Sequence, residues 1–367
     1  MKTWVNNFDG KMAPLLEHIY PKLSEYKETS LYINIRPTND HEDFPSAPIE
    51  TIAECIALSY LSGKTTFIFD NAGESLFSGA GNNSVYKIDS IVKHLTLPNV
   101  NYILLVSGYN DVEEFNCIKQ TQAISNNLSV LSAFYWEFSF KLNNSMTYIR
   151  HSGCIDKPKI KKFLCFNRRP SRHRIELLDK LIEYNLLDKA FYSFSKFMPK
   201  NIPDIDKAYP NIAKYNKDFP LLLNEVPGVT EYTKLELDDV KYFEQSIFSI
   251  VTETQYNTVG VTGGIPIFLT EKIFKCIIMQ HPFIVVSTPG YLKVLRSRGY
   301  KTFHPYINEE YDNVSDSEQR LELIIDEVKR LCSMDDEEQV KWNNKVQPIL
   351  AFNKNILYNQ KTYHIGD

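Results

Sequence analysis

The sequence predicts an α/β protein of two doubly wound domains, and three observations carry that expectation. Its 367 residues and 42.6 kDa exceed one comfortable core, because large single cores give way to separate domains as chains lengthen. Short apolar and β-branched runs alternate with helical stretches, the rhythm of parallel sheets covered by helices. That rhythm pauses around "KLNNSMTYIRHSGCIDKPK" and then restarts. The boundary is therefore placed near residues 150–158, giving domains at 1–155 and 156–345 and a closing helix at 346–367.

In the first domain "TSLYINIRP" reads as a strand, "IETIAECIALSYLSG" as a helix with apolar periodicity, and "TTFIFDNAGES" as a buried strand breaking into a Gly-containing loop. "DSIVKHLTL" reads as a short helix and "VNYILLVSG" as a further strand. The second domain opens with strand "KKFLCFN", helix "RHRIELLDKLIEYNLL" and strand "KAFYSF", followed by a long Pro- and Asn-rich section to about Leu237. Then come strand "SIFSIVTET", helix "LTEKIFKCIIMQH", strand "PFIVVS", helix "PGYLKVLRSRGY" and a short strand "KTFHP". "SEQRLELIIDEVKRLCS" and "DEEQVKWNNKVQPILAFNKNILY" are helical throughout. There is no internal repeat and no low-complexity segment.

Hydrophobic residues at 43% and charged residues at 23% place the chain among ordinary soluble globular proteins. A net charge of -4 gives no global sign of a nucleic-acid or anionic-membrane partner. Locally the charges are sorted: residues 157–200 carry 12 Lys and Arg against 4 Asp and Glu, whereas 301–340 carry 4 against 12. The six cysteines form no CxxC pair, so free thiols in a reducing compartment are expected rather than zinc or a disulfide framework. No apolar stretch is long enough to span a bilayer, and the amino terminus lacks a long apolar run. A cytoplasmic location without a membrane span is the expectation.

The richest junction is "KKFLCFNRRPSRHRIELLDKL". Asn167 ends a strand, Pro170 and Ser171 make the turn, and Ser171 is a good N-cap for the helix that follows. Arg168, Arg169, Arg172 and Arg174 surround that turn. Arginines oppose the helix dipole at an N-terminus, so an anion that offsets them, such as a pyrophosphate, is expected where strand ends and helix starts converge. The plainer reading pairs them with Glu176 and Asp179 on a solvated face. Neither the GxGxxG run of dinucleotide sites nor the GxxxxGK[ST] of P-loops occurs.

A second constellation is "SIVTETQYNTVGVTGGIPIFLTEKIFKCIIMQHPFIVV". A strand delivers Glu253, a loop with Gly260, Gly263 and Gly264 follows, and a helix starts at Thr270 with Glu271 and Lys272 in its first turn. An acid there suits the dipole without any ligand. The functional reading adds a carboxylate for a ribose diol and Lys272 for a phosphate.

These residues resemble a known group. "VTET" followed by "LTEKIFKCIIMQHPFIVVS" is similar to the donor-site region of α-1,3-fucosyltransferase-type enzymes. It resembles more loosely the exostosin-like glycosyltransferases and the glycosyltransferase-like proteins of large bacteriophages and giant viruses. The resemblance spans about Lys161 to Tyr311. It implies the GT-B arrangement, two Rossmann-like domains facing a cleft, with a sugar nucleotide held by the C-terminal domain and the final helix returning to the N-terminal one. By position, Thr270, Glu271 and Lys272 would hold the nucleotide, Glu253 would lie near the sugar, and Arg168, Arg169 or Arg172 would neutralise the diphosphate. Here Glu253 is followed by Thr254 and Gln255 where the family has Asn-Ser, and the loop is longer. The base and the sugar therefore stay open.

Without a DxD motif for a metal, cationic side chains and a helix end are expected to stabilise the leaving diphosphate. That makes the reaction metal-independent, with the nucleotide-sugar as co-substrate and no cofactor. A base to activate the acceptor is sought at strand ends of the first domain: Asp70 and Glu74 in "FIFDNAGES", Asp111 in "LLVSGYNDVEEF", and His41 as a weaker option. Each also fits a turn or capping role. The acceptor is a glycan, a lipid-linked precursor, a small molecule, or a hydroxymethylated base in duplex DNA, for which Tyr192, Phe194 and Phe197 could supply base-flipping contacts. The alternative from another class is a non-catalytic nucleic-acid-binding protein using the basic 157–200 segment.

Overall fold

A computed structural model describes residues 5–6, 30–34, 49–71, 79–132, 137, 159–167, 171–194, 209–214, 237–257, 265 and 267–359. The chain divides into two compact units, one comprising Met1–Leu142, Thr258–Leu269 and Gln360–Asp367, the other Asn143–Asn257 and Thr270–Asn359. Both units are mixed α/β with parallel sheets.

The first unit holds a five-stranded sheet in the order β1-β2-β3-β4-β5, formed by β1 (Val5–Asn6), β2 (Ser30–Asn34), β3 (Thr66–Asp70), β4 (Asn101–Val106) and β5 (Leu128–Ser132). β1 runs antiparallel to β2 and the remaining pairs are parallel, with Phe67 opposite Tyr102 and Leu104 opposite Val130 in the register. Strands joined in sequential order by right-handed crossovers place their helices on one face. The core follows that rule. Ala53 and Ile56 of α1 (Ile49–Leu61), Val85, Ile88, Ile91 and Val92 of α2 (Gly79–Leu95), and Phe115 and Ile118 of α3 (Asp111–Thr121) share a single cluster with Phe67, Phe69, Tyr102, Leu104 and Val130.

The second unit holds four parallel strands in the order β7-β6-β8-β9. They are β6 (Lys161–Asn167), β7 (Ala190–Phe194), β8 (Ser246–Thr252) and β9 (Phe283–Val286). β8 and β9 are buried along their whole length, as strands covered on both faces must be; β9 is an unbroken apolar run, whereas the hydroxyls of Ser246, Ser249 and Thr252 in β8 are satisfied by Tyr242 O, His281 and Asn167. Phe163 and Phe248 stack at 5.7 Å across β6 and β8. The helices are α4 (Arg172–Glu183), α5 (Pro210–Lys214), α6 (Leu237–Glu244), α7 (Glu271–Ile278), α8 (Tyr291–Ser297), α9 (Ser317–Ser333) and α10 (Asp336–Asn359). α4 packs with α9, and α7 with α10. The described part of the closing helix, to Asn359, lies in this unit.

Local departures from the sequence reading have local causes. α2 begins at Gly79, ten residues before the expected "DSIVKHLTL", because Gly79, Gly81, Asn82 and Asn83 are poor helix formers that mask its first turns. "KTFHP" is not a strand. Its backbone is satisfied by side chains instead: Lys301 N donates to Asn353 Oδ1 at 2.7 Å and Phe303 N to Glu309 Oε1 at 2.6 Å.

Candidate functional site

In the order β7-β6-β8-β9 the chain moves outward from β6 to β7, then returns to the other side of β6 to build β8 and β9. The reversal between β6 and β8 is a topological switch point, where parallel sheets open a crevice at the carboxyl ends of their strands. Both constellations found in the sequence sit at that edge. Asn167, the last residue of β6, is locked across three strands: its Nδ2 donates to Tyr192 Oη on β7 at 3.0 Å, and its Oδ1 accepts from Thr252 Oγ1 on β8.

The helix α4 starts beside it. Ser171 is the N-cap in extended conformation, and its hydroxyl lies 3.2 Å from His173 Nδ1 rather than bonding a backbone N–H. His173 Nε2 lies 3.0 Å from Glu253 O, a carbonyl that can only accept, so Nε2 carries the proton. The ring stacks on Tyr256 at 5.0 Å. Burial, with Arg174 nearby, lowers the His173 pKa to about 3, so the ring is neutral near pH 7. Arg174 is itself buried and its Nη2 donates to Thr252 O at 3.1 Å. Arg172 is different. It is exposed and its Nε meets Glu176 Oε1 at 2.8 Å, one turn along the helix.

At the end of β8, Glu253 has no exposed surface. Its Oε2 accepts from Thr270 Oγ1 at 2.6 Å and its Oε1 from Tyr291 Oη at 2.7 Å and Thr270 N at 3.3 Å. Burial raises its pKa, only partly offset by Lys272, Thr270 and Tyr291. Thr270 is the N-cap of α7, and its Oγ1 accepts from Lys272 Nζ at 2.9 Å. Lys272 Nζ also lies 3.0 Å from Glu271 Oε1, and its side chain keeps 26% of its surface exposed. For Glu271 burial pushes the carboxyl up, but Lys272 and Lys275 outweigh it and leave the pKa lowered.

Sequence reasoning thus named Glu253, Thr270, Glu271 and Lys272, and the fold brings these four together. Glu253 is turned inward, where it organises the start of α7. Arg172 is in the first turn of α4 but ion-paired, and Arg168, Arg169 and Glu74 lie outside the described residues, as does His41. Asp70 and Asp111 belong to the first unit and both are buried. Asp70 closes β3, while Asp111 Oδ2 accepts from Gly108 N at 2.7 Å, the bond of a side chain that closes a turn. Missed were His173 and Tyr291. The word "SRHR" hides His173 among cations, and Tyr291 reads as the apolar start of a helix.

A third helix start at this edge is closed by the protein itself. Gly290 enters α8 at φ 81°, and Asp312 accepts from Leu292 N at 3.0 Å and Lys293 N at 3.2 Å. Among the described residues no group of three or more His, Cys, Asp or Glu is placed to hold a metal ion, and no helix is long and apolar enough to cross a membrane. No protein-family model matches the chain, and no curated protein matches it.

Proposed function

We infer that the chain is a glycosyltransferase that binds a nucleotide-sugar at the switch point of its second unit and transfers the sugar to a hydroxyl acceptor. The observation that supports this most is convergence: the Arg-rich start of α4 and the Thr-Glu-Lys start of α7 come from distant sequence and share one strand edge, joined through His173 and the Glu253 carbonyl. Two helix N-termini with a partly exposed lysine offer N–H groups, dipoles and a cation to a diphosphate. On this reading Lys272 neutralises the leaving diphosphate, Arg168 and Arg169, which lie between β6 and α4 in the sequence, add charge, and the chemistry is metal-independent. The GT-B arrangement, an acceptor side in the first unit, and an acceptor that is a glycan or a hydroxymethylated base in duplex DNA belong to the same proposal. Asp70 and Glu74 are the positions at which to test the base.

A thermal-shift screen of the full chain against UDP, GDP, CMP, dTDP and their sugar conjugates, with and without magnesium or manganese, tests the reading. Binding at a hundred times Kd stabilises by about 2.7 kcal/mol, a clear rise in Tm. One nucleotide is expected to raise Tm with no requirement for metal. Lys272→Ala is expected to abolish most of that rise and to lower kcat/KM about tenfold or more, as loss of a charge-assisted bond does. No rise with any nucleotide contradicts the donor site.

A further inference from the structure

Resting on the nucleotide-sugar reading, we propose that Tyr291 is a positioning residue for Lys272, acting through Glu253 and Thr270 to set where the anion-binding ammonium stands. The path has fixed directions. Tyr291 Oη donates to Glu253 Oε1 at 2.7 Å, and Thr270 Oγ1 donates to Glu253 Oε2 at 2.6 Å. A threonine hydroxyl has one proton, so giving it to the carboxylate leaves only lone pairs facing Lys272. Lys272 uses them twice, from Nζ at 2.9 Å and from its backbone N at 3.4 Å.

The path runs from the interior to the surface. Glu253 and Tyr291 are 0% and 1% exposed, so no water can replace a lost donor. Lys272 is the member that reaches outward, and its Nζ forms only a long ion pair with Glu253 Oε2, at 3.8 Å. That length is what Tyr291 maintains: a carboxylate held from its far oxygen does not turn further toward the ammonium. Without the phenol oxygen, Glu253 Oε1 keeps, among the described residues, only the 3.3 Å bond from Thr270 N. The carboxylate then turns onto Lys272 and draws the ammonium inward, away from an incoming anion.

Tyr291→Phe removes one oxygen and keeps the ring. Two readouts on the full chain separate the proposal from the reading beneath it. The first is the 13Cε resonance of Lys272, assigned by comparison with Lys272→Arg; it is expected to shift in Tyr291→Phe. The second is calorimetric titration with inorganic pyrophosphate, where Tyr291→Phe is expected to bind about tenfold more weakly, the loss of one bond to a charged group. Tyr311→Phe, which removes another buried hydroxyl of the same unit, is expected to bind as wild type does. An unmoved Lys272 resonance, or wild-type affinity in Tyr291→Phe, overturns the positioning role and leaves the donor site standing. A wild-type protein that fails to bind pyrophosphate overturns the donor-site reading and this role with it. If Tyr291→Phe does not fold, Thr270→Val breaks the next link, with the same weakening expected and wild-type affinity again overturning the proposal.

Discussion

The two described arginines of the β6–α4 junction show how differently neighbours can be used. Arg172 projects from the first turn and pairs with Glu176 at the surface, a contact of the kind that contributes ~0.5 kcal/mol on a helix. Arg174, two residues on, is buried against Thr252 O, where a guanidinium is costly unless its neighbourhood is fixed. Arg174→Ala is therefore expected to destabilise the chain, with Arg172→Ala near neutral in a urea melt; equal effects would contradict the assignment. Asp312 gives a second residue-scale test. Its carboxylate caps the start of α8 although burial raises its pKa. Asp312→Ala is expected to cost about 1–2 kcal/mol, the range for losing an N-cap.

At the scale of elements, the strands of the second unit are the most legible, because each has an apolar centre, residues 163–166 in β6 and 247–251 in β8 interrupted only by Ser249. β6 is legible to its terminal residues. The helix Asp111–Thr121 and the strand Leu128–Ser132 carry no such signal. The first has few apolar residues, with Phe115 and Ile118 buried on one narrow stripe, and the second carries serines at both its second and last positions. The site divides in the same way. Thr270, Glu271 and Lys272 announce a helix start in sequence, whereas the inward turn of Glu253 depends on Tyr291, nearly forty residues away, which no local pattern reveals.

The lower edge of the second sheet carries an element-scale prediction. His281, leading into β9, lies 3.0 Å from Ser246 O through Nε2 and accepts at Nδ1 from Ser249 Oγ at 2.8 Å. Burial lowers its pKa to about 3, as it does that of His173. A folded pKa below the unfolded value gives stability that is full above about 6.5 and lost as pH falls toward about 3. His281→Gln is expected to reduce the pH slope of unfolding free energy by about 1.4 kcal/mol per pH unit between about pH 6 and 4. An unchanged slope would mean that His281 is protonated in the fold.

At the scale of the whole molecule, the opposite charges of 157–200 and 301–340 meet within the second unit. Lys180 Nζ lies 2.7 Å from Glu322 Oε1, tying α4 to α9, and Lys162 Nζ donates to Met334 O at 2.8 Å. Part of the basic segment is thus answered internally, which lessens what it offers to a nucleic-acid backbone. The two classes of function separate by salt: phosphate-backbone binding weakens by orders of magnitude between about 50 and 200 mM, while a nucleotide held by Lys272, Arg168, Arg169 and two helix ends weakens far less.

We propose the switch point between β6 and β8 as an anion-binding nucleotide site. Hydrogen exchange of the full chain with and without UDP, GDP, CMP and dTDP measures it directly. One of the four is expected to slow exchange in residues 171–176 and 252–257 and at the start of α7, with Lys272→Ala losing that protection. No slowing there with any of them, or slowing confined to other segments, would contradict the account.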